Sequence, residues 1–112
     1  MQKEMTIVRI YLREADQGHH HGLLKEIMSI LHDEHRVHGM TVFRGIAGFG
    51  RKGEIHSSDL LRLNVHLPLV IEFFDEPRIV DAAIEALGGL VPDGHLLRWP
   101  VYCEFKDESP GS

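Results

Sequence analysis

The chain has 112 residues, 43% apolar and 26% charged, with a formal net charge of -5 at pH 7. That is one domain on size, with a modest core that gains from oligomerisation, and an acidic balance that argues against general nucleic-acid or anionic-membrane binding. The one cysteine, Cys103, excludes an intramolecular disulfide and fits a reducing compartment, and neither a long apolar run nor a basic-then-apolar leader occurs. The expectation is a cytoplasmic protein without stable membrane insertion.

The first strand is predicted over 6–12. Val8, Ile10 and Leu12 share one face; Ile7, Arg9 and Tyr11 share the other, so neither face is simply polar. A polar connection follows over 14–22. Residues 23–35 read as an amphipathic helix, in which Leu23, Ile27 and Leu31 form a stripe that Leu24, Met28 and Ile30 widen. Gly39 is expected to cap it in the left-handed conformation.

A second strand is predicted over about 40–48, then a loop over 50–58. The run 60–63 receives no assignment. Residues 67–74 read as the third strand, with Leu67, Leu69, Ile71 and Phe73 opposite Val70, Glu72 and Phe74. Asp75-Glu76-Pro77 begins a second helix, since proline suits the first turn and acids suit the positive end of the dipole. Its stripe is Ile79, Val80, Ala83, Ile84 and Leu87, and Gly88-Gly89 stops it. Pro92-Asp93-Gly94 is a turn, 96–105 the fourth strand, and 106–112 a polar tail expected to fray.

The order βαββαβ predicts a ferredoxin-like α+β sandwich: a four-stranded antiparallel sheet with two helices on one face. The chain is expected to be a single domain over 1–112, with its core at about 5–105. The other sheet face carries Ile7, Tyr11, Val70 and Phe74 and would be a large exposed apolar patch unless an oligomer covered it.

The stretch 39–53 carries the strongest chemical signal. Its first half suits a pleated surface. Its second half has glycines at 45, 48, 50 and 53 among Arg44, Arg51 and Lys52. Such a segment can offer an anion unhindered N–H groups and positive charge. By pattern alone, a bulged hairpin with solvated basic residues is the plainer description.

Gly39-Met40-Thr41-Val42 followed by Gly48-Phe49-Gly50-Arg51-Lys52-Gly53 resembles the segment of PII signal-transduction proteins that enters their T-loop. Leu67-Pro68 with Val70-Ile71-Glu72 resembles the next PII strand. Pro77, Ile79-Val80-Asp81 and Ile84 resemble the start of the second PII helix, and Pro92-Asp93-Gly94-His95 stands where PII has Gly-Asp-Gly-Lys. The details between Arg44 and Gly50, then Ile55-His56, resemble more closely a family of uncharacterised PII-like proteins.

This resemblance implies a homotrimer with its sheets turned inward. It implies a small anionic ligand, an adenine nucleotide by analogy, bound between subunits and reported to a regulatory protein partner through the 51–58 loop. By position, Gly48, Gly50, Arg51 and Lys52 match the T-loop base, and Asp93, Gly94 and His95 match part of the B-loop. Glycine N–H groups and cations hold phosphates. The pattern departs from PII in four ways. The glutamine between arginine and lysine is absent. His95 carries less charge at pH 7 than the lysine it replaces. Lys106-Asp107-Glu108 lacks an arginine pair. The loop is shorter and has no tyrosine, which excludes tyrosine-directed modification there.

Nine histidines raise a metal reading. His19-His20-His21 reads as a polar loop, in which His21-Gly22 matches a His-Gly that precedes the first helix in the PII-like family. His32, His35 and His38 suit a helix C-terminus, and their spacing would let neighbours share an ion. No cysteine or carboxylate pattern accompanies them, and no metal ligands are assigned. Ser57, Ser58 and Cys103 show no nucleophile elbow or Cys-His signature, and neither Walker nor Rossmann patterns occur, so no catalytic residue is assigned and an enzyme is not expected. The alternatives are a metal-binding trimer resembling copper-tolerance-type proteins, or a small enzyme using the same cleft.

Overall fold

The computed structural model describes residues 1–13, 22–35, 37–49, 55–57 and 68–106. Its elements run β1 (Gln2–Arg13), α1 (Gly22–Ser29) continued by a π-helical turn (Ile30–Glu34), β2 (Gly39–Arg44), β3 (Ala47–Phe49), β4 (Ile55–Ser57), β5 (Pro68–Asp75), α2 (Pro77–Leu87) with a 3-10 turn (Gly88–Leu90), and β6 (Leu96–Glu104). Strands β2-β5-β1-β6 form one four-stranded sheet in which every pairing is antiparallel, and β3 and β4 form a separate two-stranded one. With both helices on one face, the larger sheet makes the ferredoxin-like sandwich.

Period-two alternation puts the core where it was expected. Val8, Ile10 and Leu12 of β1 and Leu69, Ile71 and Phe73 of β5 are buried against Ile27 and Leu31 of the first helical segment and Val80, Ala83 and Leu87 of α2. Each large side chain among them gains about 1.5–3 kcal/mol from leaving water. Met28 does not join the stripe: it is 44% exposed. In α2, Pro77 occupies the first turn and Gly88, at φ 48°, ends the helix in a conformation that other residues rarely adopt.

Gly39 does not cap the first helix. The helix widens into a π turn, closed by the His35 N–H to Ile30 O at 3.1 Å, and Val37 N–H reaches Leu31 O at 3.0 Å. Gly39 is already the first residue of β2, opposite Phe74. A β carbon there would rest 3.8 Å from Phe74 Cε1, an ordinary contact, so neither space nor φ requires glycine.

Asp75, 6% exposed, joins two connections. Its Oδ2 accepts the His38 N–H at 2.6 Å and its Oδ1 the Glu76 N–H at 2.7 Å. A buried carboxylate thus satisfies main-chain donors at the entry to β2 and at the start of α2.

The predicted second strand is two strands. It leaves the main sheet after Arg44, and Ala47–Phe49 then pairs with Ile55–Ser57, with Gly48 opposite His56. The segment 50–58, expected as a loop, therefore contains a strand.

Candidate functional site

The turn before β6 is held from inside the sheet. Gly94 takes φ 80°, where glycine costs least, and His95 N–H closes the turn on Pro92 O at 3.1 Å. Tyr11 N–H then donates to His95 O at 2.9 Å, and the His95 ring places Nδ1 2.7 Å from Tyr11 O. A carbonyl only accepts, so Nδ1 carries the proton and Nε2 is left for a ligand. Asp93 and Gly94 lie exposed beside it.

The second set of residues begins where β2 ends. Arg44 pairs with Leu69, and Leu69 pairs with Leu12 on the next strand, one residue from Tyr11. The root of the β3–β4 hairpin and the His95 turn therefore leave the same end of the sheet. They leave it at opposite edges, since β5 and β1 lie between β2 and β6. Three strand spacings separate them, about 14 Å. Gly48 lies within β3; Gly50, Arg51 and Lys52 lie outside the described residues, as do His19, His20 and His21. Within one protomer the structure brings Asp93, Gly94 and His95 together. It does not bring them to the hairpin root.

The sheet face away from the helices holds an ion pair within apolar rows. Arg9 Nε donates to Glu72 Oε1 at 2.7 Å, and its guanidinium lies 5.6 Å from the centroid of Trp99. Hydrogen bonds to Glu72 and then to Tyr11 hold the guanidinium pKa above its ordinary value. Around the pair stand Ile7, Tyr11, Val70 and Phe74, with Phe43 and Leu97 each about half exposed.

The helix-end histidines do not gather. The π turn changes the periodicity that stacks residues three apart, and His38 lies beyond it with its ring 4.9 Å from that of Phe74. His32 instead pairs its Nδ1 with Asp33 Oδ1 at 2.7 Å. Among the described residues, no group of three His, Cys, Asp or Glu side chains could hold a metal ion. No described helix is long and apolar enough to cross a membrane.

A family model for DUF190 (Uncharacterized ACR, COG1993) matches residues 5–103. The chain belongs to the DUF190 family. A curated relative, UPF0166 protein MJ1524 of Methanocaldococcus jannaschii, is 35% identical over 91 residues, 81% of this chain and 82% of that one. A UPF0166 protein of Aquifex aeolicus is 39% identical over 56 residues, covering 50% of this chain and 53% of its own. Among solved structures, the PII-like protein CPII of Thiomonas intermedia K12, bound to ADP and bicarbonate, superposes with TM-score 0.62 at 14% identity, covering 92% of this chain and 91% of that one. The divalent ion tolerance protein CutA1 of Ehrlichia chaffeensis superposes at 0.57 with 11% identity, covering 93% and 85%. At such identities the likeness is one of fold. The DUF190 chain thus shares the fold of the PII-like protein CPII.

Sequence reasoning placed Arg9 and Glu72 on the open face of this DUF190 fold but did not pair them. Their opposite charges on the same face of two strands were the signal. The Tyr11–His95 main-chain contact left none, because a carbonyl carries no residue identity.

Proposed function

We propose that this DUF190 protein is a homotrimeric regulator that binds an adenine nucleotide or another small anion between neighbouring copies. The hairpin root from one copy, with Gly48, Gly50, Arg51 and Lys52, meets the turn of the next, with Asp93, Gly94 and His95. Ligand held there acts on the segment 51–58, which presents the bound state to a partner protein. No chemical step is assigned to the cleft.

The observation that supports this reading is where the hairpin root and the His95 turn leave the sheet. They leave one end of the sheet at opposite edges, about 14 Å apart by strand spacing, which favours a neighbouring copy as the source of each one's counterpart. Rotation about a three-fold axis brings the β2 edge of one copy beside the β6 edge of the next. The apolar face around Tyr11, Val70 and Phe74 supplies a surface to bury in doing so. The structural relative CPII, bound to ADP, AMP and bicarbonate, supports the ligand class.

Light scattering at micromolar concentration, with calorimetric titration of ADP, AMP, ATP and bicarbonate, tests the proposal. A trimer that binds one or more of them is expected. A monomer, or a trimer that binds none, contradicts it.

A further inference from the structure

We propose that Arg9 and Glu72 set the register in which copies of this chain assemble, by pairing between copies as well as within one. The inference rests on the reading of the open sheet face as the surface where copies meet.

The strand registers place the pair centrally. One row across the sheet reads Thr41, Glu72, Arg9, Leu97 from edge to edge. The row on one side carries Phe43, Val70 and Tyr11, and the row on the other carries Phe74, Ile7 and Trp99. A charge pair in the middle of a mostly apolar face is costly to cover unless its bonding capacity is filled.

That capacity is larger than one protomer fills. A guanidinium has five N–H donors, and a carboxylate has two oxygens that accept several bonds. Glu72 Oε1 takes the Nε donor, Tyr11 takes another, and the aromatic face of Trp99 covers the cation. By count, the guanidinium has more donors and the carboxylate more acceptor sites than these bonds use. The apolar rows offer them nothing. A second copy offers both an equivalent carboxylate and an equivalent guanidinium, so the face is self-complementary in charge. Around a three-fold axis the groups alternate, Arg9 of each copy meeting Glu72 of the next. An apolar partner of any other kind would leave these donors buried and unpaired.

Charge reversal separates pairing between copies from pairing within one. The R9E/E72R variant keeps an ion pair inside each protomer. Where the pairs also run between copies, a wild-type and a reversed copy set like charges against each other. Co-refolding wild type with a mass-tagged R9E/E72R chain, read by native mass spectrometry, is expected to give the two homotrimers and no mixed species. A random distribution of mixed trimers would overturn the inference while leaving the trimer intact. A monomeric wild type would overturn the assembly reading itself and the inference with it.

Glu72→Gln provides a second measurement that does not depend on the reversed chain folding. It preserves shape but leaves the guanidinium short of charge. The protein concentration for half-dissociation should rise by about tenfold or more, since losing one partner of a buried pair acts mainly on dissociation. An unchanged dissociation profile would also overturn the inference.

Discussion

His95 and Tyr11 bond to each other twice: Tyr11 N–H donates to His95 O at 2.9 Å, and His95 Nδ1 meets Tyr11 O at 2.7 Å. The strand end thereby fixes both the path of the turn and the orientation of the ring. Nε2 is presented as the variable atom, a lone pair in the neutral ring and a donor in the imidazolium. A deprotonated phosphate oxygen of ADP only accepts, so it bonds to Nε2 only when that nitrogen carries a proton. Nitrogen NMR should find the neutral His95 ring with its proton on Nδ1. A proton on Nε2 in the neutral ring would contradict the geometry.

Asp75 stabilises without touching the site. Its two oxygens accept main-chain N–H groups of His38 and Glu76 while almost fully buried. Asp75→Ala removes both acceptors and should cost about 1–3 kcal/mol or more for the donors left unsatisfied. Asp75→Asn retains an acceptor oxygen and should cost less. Urea unfolding of both variants checks the order. An alanine variant as stable as wild type would show that water replaces the carboxylate at no cost.

Asp33 is a surface carboxyl with a predictable titration. Hydrogen bonds from His32 and then from Ser29 hold its pKa below the ordinary aspartate value. The stability this contributes is present above the unfolded-state pKa and is lost as pH falls through the lower, folded one. Carbon NMR should find the folded midpoint below that of an unstructured aspartate, and Ser29→Ala should raise it partway. Equal midpoints in the folded and unfolded chains would refute the assignment.

The core is apolar throughout, built from Val8, Ile10, Leu12, Ile71, Phe73 and their neighbours on the helices. A core of this kind gains its stability from burial, and the expectation is that it folds without a metal. A strong chelator should leave the cooperative thermal melt unchanged. Loss of the transition in chelator would reveal a structural metal.

The long elements were legible in the residues because their periods are long enough to read. Val8, Ile10 and Leu12 alternate in β1, Leu69, Ile71 and Phe73 alternate in β5, and Val80, Ala83 and Leu87 stripe α2 between Pro77 and Gly88. A bulged hairpin could be read in the 39–53 stretch, but the limits and pairing of β3 and β4 could not. Strands of three residues show no alternation, and their pairing joins residues across an intervening segment. The end of the first helix misled for a related reason: a π turn obeys neither the helical nor the strand period, so Gly39 looked like a cap. At the site, His95 was found by its place in a motif, whereas the carbonyl that orients it depends on how β1 passes the turn.

Complementation between two defective chains tests most directly the claim that each ligand site is shared by two copies. One chain carries Arg51→Ala with Lys52→Ala, which removes the cations of the hairpin side. The other carries His95→Ala, which removes the histidine of the turn. Each alone should bind ADP at least about tenfold more weakly than wild type, since each lost charge-assisted bond is worth about 1.5–3 kcal/mol. Co-refolded in equal amounts, they form trimers in which some interfaces join an intact hairpin to an intact turn. Calorimetry of the mixture should recover a fraction of sites with wild-type affinity for ADP. If the mixed trimers form and bind ADP no better than the two variants alone, the site is not shared between copies.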